Sequence, residues 1–412
     1  MGPKKRFPKK LVTTIQEGSM KDIVALFKNK RYMSAVDLNA SDDFDREQPF
    51  HHFLIRFHDK PGHFKTFMKL SIAAGFNPNA MHHIHALPVY FCALNRFTQA
   101  LKVLIQDFRL AYHSSDVHPL AGGGLMHFLF DCSNTKHIHM ILQDIRPVVP
   151  DLMSMVNERW SSSGCTPLAS VLYAKNEVLN LPYLMSLGPD LSIPNEFGQT
   201  PLMLFFAKNR GRCYHELFYN AINRDHSLLM AVDLQGRNVL FYVQDSEAAE
   251  NLIRLGADIN QVDKLGRNAL FYQNAATIRI CLTHGMNPMC IDKDQETPIS
   301  HHFCKHKLGH GPWIRVNALL QSDVYPANYQ HGDKKNSLLH MVAAKYSDRT
   351  AEYVVSKKGT DTTLRNACGF TALYFIVSKR NRSQKGSSEY LARQQDLFSF
   401  LRILAQNGCP IK

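Results

Sequence analysis

Apolar residues recur along the chain in short runs, each opened by a Pro or by a residue standing where Pro would. The apolar residue after each opening lies at Phe50, Val89, Met126, Leu168, Leu202, Leu240, Leu270, Ile299, Leu339 and Leu373, at steps of 29 to 42 residues. Asp233-Leu234-Gln235-Gly236-Arg237-Asn238-Val239-Leu240-Phe241-Tyr242 is nearly repeated by Asp263-Lys264-Leu265-Gly266-Arg267-Asn268-Ala269-Leu270-Phe271-Tyr272. Phased openings of this kind predict a repeated supersecondary unit. In Gly164-Cys165-Thr166-Pro167-Leu168 and Gly198-Gln199-Thr200-Pro201-Leu202, Thr can cap a helix and Pro fits its first turn, where a missing N–H costs nothing. Leu then begins the apolar stripe of a short inner helix. An outer helix such as Ala248 to Leu255 packs behind it, and Gly256 or Gly285 supplies the left-handed residue that ends it. Neither helix can bury its apolar face alone, so such units must stack.

The spacing also predicts irregularities. Steps of 30 and 29 residues, into Leu270 and Ile299, mark units that have lost about one helical turn. The step of 40 residues from Ile299 to Leu339 implies an insertion, at Gly309–Pro312 or Tyr325–Asn328. Ser378 to Ser388, rich in Ser, Lys and Arg, suggests a mobile basic loop between two helices.

With its Gly-x-Thr-Pro-Leu openings and closing turns such as Gly256-Ala257-Asp258-Ile259-Asn260, the unit resembles the ankyrin repeat. The likeness begins near Leu11, where Ile15–Gly18 and Ile23–Phe27 look like an incomplete first unit, and ends at Gly408-Cys409-Pro410-Ile411. It implies an all-α solenoid of about 10–11 helix-turn-helix units with short β-hairpin fingers. The expected organisation is a basic disordered tail over 1–10 and a single solenoid over 11–412. Within the solenoid, degenerate units cover 11–160, clear units 161–300, an insertion surrounds 303–332, and terminal units fill 333–412.

The family register assigns a small buried residue two places after the His slot. Phe53, Cys92, Leu129, Val171, Phe205, Val243, Val342 and Ile376 hold that position as apolar residues, whereas Gln273 and His302 are polar. Either the short units slip in phase there, or a polar pair lies within the stack. The residue immediately after the His slot faces the concave surface of an ankyrin stack. Here these residues are His52, Phe91, Phe128, Ser170, Leu204, Tyr242, Tyr272, His301, Met341 and Phe375. So many large apolar rings suggest a binding groove, with stacking of the rings on one another as the bland alternative. Phe197, Leu234 and Leu265, beside Glu196, Gln235 and Lys264, add apolar contacts at the finger tips.

Lys and Arg number 48 against 35 for Asp and Glu, a net charge of +13, which favours an acidic partner. No run is apolar and long enough to span a membrane, and no signal peptide opens the chain. Nine cysteines, none in a Cys-x-x-Cys pair, fit a reducing compartment, cytoplasmic or nuclear. Pro3-Lys4-Lys5-Arg6-Phe7-Pro8-Lys9-Lys10 suits either an import signal or a solvated tail. The expected function is therefore that of a non-catalytic, monomeric scaffold that docks an acidic protein through an aromatic, basic-rimmed groove and needs no cofactor. The degenerate units and basic charge also resemble ankyrin proteins that intracellular bacteria deliver into host cells.

Two other functions compete. An enzyme would need a hidden Cys/His or zinc site within 299–335. There His302, His306 and His310 share one face of an unbroken helix with Cys304 nearby, although Gly309 and Gly311 would interrupt it. His82, His83 and His85 are a weaker cluster, and Gly122-Gly123-Gly124 lacks the Lys-Ser/Thr of a phosphate loop. A charge-driven binder of nucleic acid or phosphoinositide would lose affinity steeply with salt.

Overall fold

The computed structural model describes residues 6–40, 48–79, 87–113, 123–131, 138–149, 151–173, 181–208, 212–305, 310–321, 325–326, 328–344, 348–357, 359–382, 385, 387–407 and 409. Among these residues the regular structure is helical, and the only β pairings are isolated bridges, Arg6 with Val36 and His331 with Asn336. No helix among them is long and apolar enough to cross a membrane. The chain divides into two compact units, Met1–Pro201 and Leu202–Lys412.

In the first unit the openings do what their spelling predicts. Helices Pro49–Phe57, Pro88–Leu94 and Pro167–Tyr173 each carry Pro in the first turn. The second buries every residue from Pro88 to Ala93. Phe53 is wholly enclosed, stacked on Phe67 at 3.9 Å and on Phe57 at 4.6 Å, so the outer helix Pro61–Ala73 is held against the inner helix by face-to-face aromatic contact. A Ser19–Asp22 capping box starts helix Met20–Lys28. Arg6 to Lys10, expected in a disordered tail, are placed. Arg6 accepts from Asp37 N at 3.0 Å, and helix Lys9–Glu17 buries Leu11, Val12 and Ile15. Only residues 1–5 of that tail lie outside the described residues.

Helix Pro201–Ala207, where the second unit begins, is seven residues long, as is Leu338–Ala344, but the inner helix shrinks to three-residue 3-10 turns at Val239–Phe241 and Ala269–Phe271. These are the units with short sequence spacing. A single 3-10 turn cannot satisfy its own last carbonyls. Gln273 Nε2 therefore donates to Leu240 O at 2.5 Å, and the His302 ring hydrogen-bonds Leu270 O at 2.9 Å, both side chains being buried. The two polar exceptions in the register thus repair the carbonyls left by the truncated helices. Helix Ala372–Arg382 continues through residues expected to begin a basic loop, and helix Ser388–Gln406 follows.

The expected β-hairpin fingers are absent among the described residues, and the cause is chemical. At Asp233, Asp263, Asp292 and Asn366 the side-chain Oδ1 accepts two backbone N–H groups, two and four residues ahead. The N–H that would return across a hairpin ladder is thereby captured by a side chain, and the segment closes as a turn. In the first unit Asn195 does the same for Phe197 and Gln199.

Burial pushes the imidazoles of His127 and His331 down to about 4, against about 6.5 in an unfolded chain. The folded state thus binds fewer protons than the unfolded state between these values. Stability is full above the unfolded pKa and declines as pH falls toward the folded one. Each ring should cost about 2 kcal/mol on going from pH 7 to pH 5. Urea titrations at the two pH values check this, and coincident midpoints would show that both rings stay hydrated.

Candidate interaction surface

The turns of the second unit form a bonded row. Lys264 N donates to Gln235 O at 2.7 Å, Lys293 N to Leu265 O at 2.9 Å, Gly332 N to Gln295 O at 2.9 Å and Ala367 N to Lys334 O at 2.9 Å. Each turn is fixed internally by its Asp or Asn and externally by its neighbour, so the tips sit on rigid backbone. The fourth residue of the turn needs a positive φ, which Gly236, Gly266 and Gly369 supply. At Gly266 a side chain would also meet Ile291 O at 3.3 Å. Gln295 occupies the same slot at φ 58°, a conformation that costs about 1 kcal/mol for a residue with a Cβ.

Beneath the tips lies an ion-pair network. Tyr242 OH and Arg237 Nε both donate to Asp233 Oδ2, Arg237 at 2.8 Å, and Tyr272 OH donates to Asp263 Oδ2 at 2.5 Å. Burial would raise the Asp233 carboxyl, but hydrogen bonds from Arg237 and Tyr242 outweigh it and hold the group below the usual carboxylate range. Arg267 is only 8% exposed and binds Asp292, whose side chain is 0% exposed, at 2.7 Å. Burial lowers the Arg267 pKa, yet the Asp292 hydrogen bond reverses this and raises it.

The structure separates the residues singled out from the sequence. Phe91, Leu204 and Met341 are buried, as are His52 and His301. Phe128, Tyr242, Tyr272 and Phe375 are half-buried. An open aromatic trough along the inner helices is therefore not what these side chains make, because adjacent rings cover one another. His51 meets Phe91 edge-on at 4.8 Å, Tyr90 stacks on Phe128 at 5.0 Å, Phe241 tilts against Tyr272 at 5.7 Å, and His340 meets Phe375 edge-on at 5.9 Å. In Tyr242 and Tyr272 the hydroxyls are also committed to their turns.

The tip residues differ. Phe197, Leu234 and Leu265 are all exposed, Phe197 in the first unit and the other two in the second. Sequence reasoning missed Val232, Val262 and Ile291. Each stands immediately before the Asp that starts a turn, and the recurring Val-Asp, Val-Asp, Ile-Asp spelling was the signal. Together with Leu234 and Leu265 they are 43–56% accessible. Lys264, Lys293, Lys334 and Lys335 are exposed on the same row.

Of the zinc candidates, only His302 has a described side chain. His302 is buried with its ring on Leu270 O. His306 and the side chains of Cys304 and His310 lie outside the described residues, as do His82, His83, His85 and Gly122. Among the described residues no group of three His, Cys, Asp or Glu side chains could hold a metal. Compared with known proteins, the chain matches no family model and its sequence matches no curated protein.

Proposed function

We propose that the chain is a non-catalytic scaffold of ankyrin-repeat type whose second unit captures an acidic protein on its row of turns. The observation that carries this reading is the register of exposed apolar residues. Val232, Val262 and Ile291 stand at one position, just before the Asp of three successive turns that are hydrogen-bonded to one another, and Leu234 and Leu265 are exposed beside the first two. A single exposed Leu needs no explanation, whereas an apolar file repeated at one structural position marks a contact surface. Because the turns are already fixed, little backbone entropy is lost when a partner docks. Lys264, Lys293, Lys334 and Lys335 rim the file and steer an acidic surface toward it.

The test is the double substitution Leu234→Asp with Leu265→Asp, made at two tips and away from the core. Its yield of captured protein from lysate should fall about tenfold or more, while its urea midpoint stays with the wild type. Equal recovery of the same proteins by the variant refutes the docking row.

A further inference from the structure

The first unit contains a cavity of about 380 Å³ lined by aromatic residues Trp160, Tyr173 and Phe197, with Glu196, Cys165 and Ser170 among the remaining lining residues. Each ring is placed by a separate backbone device. Trp160 N donates to Cys165 O at 2.7 Å and Trp160 O accepts from Gly164 N at 2.8 Å, closing the segment into a loop. The His127 ring meets the indole edge-on at 5.7 Å and its Nε2 bonds Cys165 O at 2.8 Å. Tyr173 ends helix Pro167–Tyr173. Phe197 rides on the Asn195 turn, which is clipped to the Trp160 loop by Glu196 N donating to Ser163 O at 2.9 Å.

Two features make this more than an apolar dent. The indole Nε1–H is buried without a hydrogen-bond partner, which costs about 1–3 kcal/mol, so the ring is kept in place at the expense of stability. Charge is the second. In a chain of net charge +13, no Lys, Arg or His is among the described residues lining this cavity. Glu196 is exposed and forms no ion pair among the described residues, and nearby Arg159 is tied to Gly164 O at 3.2 Å.

We propose that this cavity binds a quaternary ammonium group, carried by a choline-like small molecule or by a trimethylated lysine side chain. Aromatic faces present the negative side of their quadrupole to a cation, and Glu196 adds a full negative charge at the opening. A trimethylammonium head sheds its weakly held water more easily than a lysine ammonium, so the cavity selects it over unmodified lysine. The volume suits such a head together with the chain that bears it.

The chain has two tryptophans, so a Trp313→Phe variant leaves Trp160 as the sole tryptophan, whose emission is read by exciting at the red edge where tyrosine does not absorb. Choline should change its emission saturably. Dimethylbutanol, the uncharged carbon isostere of choline, should bind about tenfold more weakly. Glu196→Gln should weaken choline by a similar factor, and Phe197→Ala should abolish the response. Calorimetric titration of the wild-type chain with choline gives the same reading should the Trp313 variant fail to fold. Peptides bearing trimethyllysine or unmodified lysine separate the sources. Tighter binding of the methylated peptide than of choline identifies a modified protein as the carrier, and the reverse order identifies a small molecule. Equal affinity for choline and dimethylbutanol, or saturation by neither, overturns the proposal.

Discussion

Arg267→Ala is expected to destabilise the second unit by about 3–5 kcal/mol, the usual consequence of removing one partner from a buried ion pair. The reason is the environment of Asp292. Its carboxylate is fully buried, accepts Arg267 Nε at 2.8 Å and the guanidinium Nη2 at 2.7 Å, and simultaneously holds the N–H groups of Asp294 and Glu296. Without Arg267 the charge remains in the turn with no counterion, and it cannot be withdrawn without opening the turn. Arg267 also lies 5.7 Å from the Phe271 ring centre, so its loss removes packing from the truncated inner helix. A urea titration monitored by helical circular dichroism measures the effect. A loss below about 1 kcal/mol would place Asp292 in the class of solvated surface pairs.

Phe53→Ala should weaken the first unit by a comparable amount, about 3–5 kcal/mol. Phe53 has no solvent exposure and stands between two stacked partners, Phe57 on its own helix and Phe67 on the outer helix, with Phe64 tilted beside it at 6.2 Å. Alanine leaves a void that flat, mutually supporting rings cannot collapse to fill, so the contact area lost is not regained by relaxation. Phe53→Leu retains most of the volume and should recover more than half of the loss. If alanine and leucine variants unfold at the same urea concentration, the aromatic stack does not hold the two helices together.

Helix starts were legible because they depend on local chemistry. Pro49, Pro88, Pro167 and Pro201 each begin a helix in the structure, and the short spacing before Leu270 and Ile299 corresponds to inner helices of one turn. Gln273 and His302 were visible as anomalies, although their partners, backbone carbonyls in the preceding unit, depend on the neighbour's length. The aromatic trough was not legible. The ankyrin-like register assigns Phe91 and Tyr272 equivalent positions in their repeats, but only the three-dimensional spacing of adjacent repeats decides whether His51 or Phe241 covers them. The fingers were misread for a different reason. Asp233, Asp263 and Asp292 recur at the start of each turn, and a side-chain acceptor at that place competes with strand pairing.

Gln273 and His302 reach backward to Leu240 and Leu270, which couples three successive modules more tightly than surface contact alone would. Excising or transplanting any one of them would strand a carbonyl in the module before it, or bury an amide or imidazole with nothing to bind. Residues 239 to 302 would therefore have to be moved as one cassette, with consensus modules spliced in only on either side of it.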